Sequence, residues 1–144
     1  MKAAKVALWG LGIVLAASVA TGGDAKKDEA KLEGKWINEL DGKKHEFTFT
    51  KGKFTVTFQG DEKFTGKGTY KIDGSKKPKQ MDMKITEFPK EDFVGKTAKV
   101  IYDLDRDTLK WCANKPGEDS RPTAFPDKQG ENGESLYLIL KRAK

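Results

Sequence analysis

Cysteine is almost missing from this chain: one residue, Cys112, among 144. A single thiol excludes a disulfide within the chain and leaves Cys112 either free or bridged to a second molecule. Histidine is equally scarce. His45 stands alone and far in sequence from Cys112, so the chain has no zinc-binding set of Cys and His and no Ser-His-Asp order for nucleophilic attack. Glycine-rich phosphate loops are absent, and so are paired carboxylates in a recognisable catalytic setting. No stretch carries the period of a long amphipathic helix. Charge of one sign never forms a block: 28 basic and 22 acidic residues are interleaved, for a net charge of +6. These absences argue against an enzyme, against a resident metal and against a cofactor.

Only one long apolar run exists, at the start. Lys2 and Lys5 give a positive opening, Val6 to Ala20 is uncharged and apolar, and Ser18-Val19-Ala20 places small residues where a signal peptidase reads. Residues 1–20 are therefore expected to be a secretory signal, with cleavage after Ala20 or after Ala25. The run is shorter than the roughly 20 residues of a membrane helix, which disfavours a retained anchor. No cysteine follows it, which excludes a lipid-modified terminus. Removal takes away two lysines and no acid, lowering the net charge from +6 to +4, too mild to name a partner. The expected location is periplasmic or extracellular, with no stable membrane span after cleavage.

Residues 21–31, "TGGDAKKDEAK", read as a flexible leader ending in a short helical turn. From Leu32 onward the chain has a period of two. "HEFTFT" puts Phe47 and Phe49 on one face; "KFTVTF" does so with Phe54, Val56 and Phe58 after a tight turn at Lys51-Gly52. "FTGKGTYKI" aligns Phe64, Gly66, Gly68, Tyr70 and Ile72, and its glycines predict a bend or bulge. With "GKWINEL", "MDMKIT", "AKVIYDL", "TLKWCAN" and "SLYLILKR" this makes eight strands. Sequential short connections favour an antiparallel meander, and eight strands can close into an up-and-down barrel without exposed edges. The predicted fold class is all-β, one barrel domain over 32–142. Strands of about seven residues, roughly 23 Å long, filled with Phe, Leu, Met and two Trp, leave little interior room. A mostly filled barrel is the expectation, with an open cavity as the alternative.

Two resemblances follow from particular residues. Gly34-Lys35-Trp36 at the first strand resembles the G-x-W signature of lipocalins, and Arg142 at the end of the last strand matches the basic residue that closes the lipocalin barrel over that tryptophan. A guanidinium on an indole face contributes about 0.5–2 kcal/mol. More broadly, "LEGKW", "GTYKID", "PKQMD", "IYDLDRDTLKWC", "PGEDSRPTAF" and "LYLILKR", in this order, resemble an uncharacterised exported domain family expanded in planctomycete bacteria. That resemblance covers Leu32 to Arg142. It implies a lipocalin-like fold and export, and it implies no activity, substrate or catalytic residue.

The candidate sites are few. Trp36, Tyr70, Tyr102 and Trp111 are expected to line a ligand space in the barrel mouth. Cys112 faces away from Trp111 and Ala113, beside Lys110 and Asn114, and reads as a structural thiol, an intermolecular bridge or a nucleophile with no base near it in sequence. Arg121, held by Pro122, either grips a carboxylate or phosphate at the mouth or pairs with a local acid and fixes the long loop; the second arrangement is the commoner one. "DLDRDT" spaces Asp103, Asp105 and Asp107 as a calcium loop does. But Thr108 stands where such a loop needs glycine and Asn114 where it needs a bidentate acid, so a hairpin turn is expected. Lysines and aromatics fall on opposite faces, which removes the stacking surface that nucleic-acid binding needs. The expected protein is a monomer that binds a small apolar or amphipathic ligand, or else a filled barrel that contacts an envelope protein through its outer surface.

Overall fold

The fold is given by a computed structural model, which describes residues 28–143. The expected signal at 1–20 and residues 21–27 of the expected leader lie outside the described residues. The strands are β1 (Gly34–Leu40), β2 (Lys43–Thr50), β3 (Lys53–Gln59), β4 (Lys63–Asp73), β5 (Lys79–Glu87), β6 (Thr97–Asp105), β7 (Thr108–Asn114), β8 (Gly130–Asn132) and β9 (Ser135–Arg142). β1 to β7 pair in chain order, β9 pairs with β7, and β9 also returns to β1. The result is a closed eight-stranded antiparallel barrel of the predicted class, with β8 as one extra strand on the flank of β9.

Local chemistry explains the meander. Asp41-Gly42 and Lys51-Gly52 are two-residue turns with both residues at positive φ (52° and 78°, 48° and 77°), the geometry that matches the twist of the strands they join. Along β4 the exposed and buried positions alternate, and the pairing with β5 slips between Lys67 and Gly68. This is the bulge that the glycines predicted. A Cβ on Gly68 would fall 1.8 Å from the Lys84 carbonyl oxygen, so the close approach of the two strands requires glycine there. Asp105 and Thr108 pair across a hairpin turn at Arg106-Asp107, as expected for "DLDRDT".

The ring is sealed unevenly. β1 and β9 pair only at Trp36↔Arg142 and Ile37↔Lys141. Beyond that point side chains take over. Gln129 Oε1 accepts from the Ile139 N–H at 2.8 Å and from Asn38 Nδ2 at 2.7 Å, and Asn38 Nδ2 also donates to the Ile139 carbonyl at 2.8 Å. Two amides thus stand in for a missing stretch of ladder. β8 covers the remaining part of β9. The period-two reading does not show β8, because Gly130-Glu131-Asn132 offers no apolar alternation.

The loop from Lys115 to Gln129 does not stand free in solvent. It lies against the outer wall, where Phe125 meets Tyr137 at 5.5 Å between ring centroids. Together with Ile101, Cys112 and Ile139 they form a small second apolar cluster outside the barrel. Cys112 does face outward, as expected, but it is fully buried under this cover.

Candidate functional site

The barrel interior divides into two halves along its axis. One half is filled and closed. Residues 28–32 form a helical turn at this end, with Leu32 fully buried. Trp36 is fully buried and its Nε1 donates to the Leu32 carbonyl at 2.9 Å. The Arg142 guanidinium lies over the Trp36 ring, 4.3 Å from its centroid. The same guanidinium donates to the carbonyls of Glu33 and Lys31 and to Asp107. Gly34 holds φ at +114°, and a Cβ there would come 3.6 Å from Arg142 Nη1. Asp28 is buried, and its Oδ2 accepts from Tyr102 OH and from Lys79 Nζ, each at 2.9 Å. So the end of the expected leader is part of the closure, tied to β5 and β6 by one carboxylate. Tyr70 packs edge-to-face on Phe49 at 5.0 Å in this half.

Burial shapes the ionisation of these tyrosines. Desolvation, with Glu29 and Glu33 nearby, pushes Tyr70 up to about 12. Desolvation first, and then the hydrogen bond to Asp28, raises Tyr102 further. Both phenols are therefore neutral structural groups at physiological pH.

The other half is open. Here the interior holds a cavity of about 610 Å³. Phe47, Phe54, Val56, Met83, Ile85 and Trp111 line it from the barrel wall, and Phe58 and Leu136 line it nearer the mouth. Phe47 and Trp111 meet edge-to-face at 4.9 Å, and Trp111 Nε1 donates to Met83 Sδ at 3.3 Å, which fixes the indole among the lining residues. Phe88 and Phe93, from the β5–β6 connection and its single turn of 3₁₀ helix (Glu91–Phe93), pack on each other at 5.6 Å and also line the cavity. Gly66 makes room for Phe88: a Cβ there would be 2.7 Å from the ring. At the rim stand Lys115, Glu118, Glu131 and Glu134.

The expectation of a mostly filled interior therefore holds for one half only. Among the residues expected to line a ligand space, Trp111 alone borders the cavity. Trp36, Tyr70 and Tyr102 belong to the filled half. Arg121 lies away from the cavity, on the outer wall. Its Nη1 donates to the carbonyls of Met81 and Val100, at 2.9 and 2.8 Å, and its Nη2 pairs with Asp82. All three partners belong to the chain itself, so Arg121 clamps the long loop across β5 and β6. The lining phenylalanines were visible in the sequence as core residues, without a signal for which half each would occupy.

His45 sits beside the seam. Its Nδ1 is 3.0 Å from Asn38 Oδ1, and its ring meets Phe58 edge-to-face at 5.2 Å. Since Asn38 Nδ2 donates to Gln129 and Ile139, its Oδ1 is the acceptor and His45 the donor. Desolvation and the nearby Lys43 lower the His45 pKa, so the ring is neutral at pH 7. Among the described residues, no three His, Cys, Asp or Glu side chains converge on a metal-holding point. Also among the described residues, no helix is long and apolar enough to cross a membrane.

Cys112 is removed from both halves. Burial pushes its thiol above the ordinary value. Its expected behaviour follows: an aromatic disulfide reagent at neutral pH leaves the folded protein unmodified and titrates one thiol after denaturation. Rapid labelling of the native protein would show that the Phe125 cover opens.

No protein-family model, no curated protein and no solved structure matches the chain.

Proposed function

We propose that this protein is a non-enzymatic binding module that holds a small apolar or amphipathic molecule in the open half of its barrel. The observation that carries the reading is the cavity of about 610 Å³, walled by aromatic and aliphatic side chains inside a barrel whose other half is closed. Its size falls within the range of small-molecule sites, and its lining has the usual character of such sites, apolar walls with a few polar groups at one end. The closed half supplies a rigid base to the site. Export fits the apolar opening stretch at Val6 to Ala20, and the motifs from "LEGKW" to "LYLILKR" support membership of the exported planctomycete family.

Native mass spectrometry on the protein recovered from its own cells tests this. The expected spectrum shows the chain plus one discrete small adduct, lost on denaturation. A mass at or below that of the processed chain with no adduct, and no uptake of long-chain probes in vitro, would leave the outer surface as the functional part. The mass of the chain also reports whether residues 1–20 or 1–25 have been removed.

A further inference from the structure

The charged groups at the cavity mouth have the opposite sign to the protein as a whole. The chain carries a net charge of +6. Yet the residues that line the cavity include three glutamates, Glu118, Glu131 and Glu134, and one basic residue, Lys115, with a second, Lys96, packed against Gly117 beside Glu118. None of these three carboxylates takes part in an ion pair among the described residues. Nor do they converge on a metal-holding point. They stand apart around an aromatic-lined opening, so they act as a spread field of negative charge over one entrance. Arg121, the residue that would have favoured an anionic ligand, is turned to the outer wall and occupied there. Two independent features therefore meet at this place. The apolar cavity selects a hydrocarbon body, and the rim selects the sign of what is attached to it.

We infer that the barrel takes an amphipathic cation: a molecule with an apolar body that enters the cavity and an amine or quaternary ammonium group that remains at the rim beside Glu118, Glu131 and Glu134. This rests on the reading of the cavity as a binding site and adds the charge class of its occupant. The physical preference is simple. A cationic head keeps most of its hydration at the rim and gains attraction from the carboxylates. An anionic head on the same tail meets repulsion unless it reaches Lys115 or Lys96. Such largely exposed interactions are individually small, each worth about a factor of two, and three of them together give about a tenfold preference. Salt screens them over about 8 Å at physiological ionic strength, so the preference shrinks as salt is added while burial of the tail does not.

Calorimetric titration of the whole protein with decyltrimethylammonium, decan-1-ol and decanoate, each below its micelle-forming concentration, separates the terms. The expected order is cation tightest, alcohol intermediate and carboxylate weakest, with about ten-fold or more between the first and last in low salt and a smaller ratio in high salt. The triple variant Glu118→Gln, Glu131→Gln, Glu134→Gln changes only surface groups. It should bring the cation's affinity down to that of the alcohol and leave the alcohol unchanged. Equal binding of all three probes, or tighter binding of decanoate, would overturn the charge preference and leave the cavity reading standing. No binding of any probe would overturn both. A cation preference that survives the triple variant undiminished would place its origin elsewhere and also overturn the assignment to the rim.

Discussion

Trp36→Ala should lower the folding free energy by about 3–5 kcal/mol, the range for truncating a large buried aromatic side chain. For a domain of this size that corresponds to a drop of roughly 10–20 °C in thermal midpoint. Three losses combine. The indole is fully buried, so its removal opens a void at the closed end. Its Nε1 bond to the Leu32 carbonyl disappears, which leaves the helical turn at 28–32 without one of its ties. The Arg142 guanidinium loses the ring beneath it. Arg142→Ala keeps the indole and removes the stack and the bonds to Lys31 and Glu33, and it should cost less, about 1–3 kcal/mol. Urea titration of both variants checks the order. A Trp36→Ala protein within about 1 kcal/mol of the parent would mean that the closed end contributes little to stability, against the ordinary cost of such a truncation.

Gly68→Ala is the second large effect. One added methyl group should destabilise the barrel by about 3 kcal/mol or more, beyond the ordinary cost of overpacking. The reason is the identity of the atoms it meets. The new Cβ would lie 1.8 Å from the Lys84 carbonyl oxygen and 2.8 Å from the Phe54 ring. A ring can turn aside, but a backbone oxygen paired in the β4–β5 ladder moves only if the bulge at Lys67/Gly68 is rebuilt. Gly66→Ala is the contrast. Its new Cβ would meet the Phe88 ring at 2.7 Å and no backbone atom that close. Phe88 is a partly buried side chain at the mouth, packed on Phe93, and a ring shifts more readily than a paired backbone carbonyl. That variant should fold with a loss of about 1 kcal/mol and show its main effect on ligand uptake. Equal destabilisation by the two alanines would refute the distinction between them.

Much of this fold was legible because a half-buried strand writes its two faces into alternate residues. Phe47 and Phe49, Met81 and Met83, and Leu138 and Leu140 each marked an inward face, and all six are buried. The bulge was legible because Gly66 and Gly68 break a strand where only a close approach explains them. Less legible was everything that depends on which end of the barrel a residue reaches. Adjacent strands run in opposite directions, so a residue near the start of β1 shares a level with residues toward the ends of β4 and β6. Counting along the strands in this way places Trp36, Tyr70 and Tyr102 together at one pole and away from the mouth. The outer cluster was hidden differently. "VIY" and "LYLIL" are unbroken apolar runs, which signal burial on both faces. Their second cover, Phe125, lies in a loop with no periodicity. The carboxylates at the rim were the least visible, since Glu118, Glu131 and Glu134 look like any solvated loop acids until the barrel brings β8 and the long loop to one opening.

Residue 28 and residue 143 lie at the same pole. Asp28 is bound to Tyr102 and Lys79 in the filled half, and Ala143 donates its N–H to the Lys35 carbonyl at 2.9 Å beside Arg142. The barrel is thus a cup with both handles on its base. A label attached at residue 28 or at residue 143 sits beside the closed floor, and the opening lies at the other pole. Attachment through residue 28 and attachment through residue 143 should therefore leave entry to the cavity equally free.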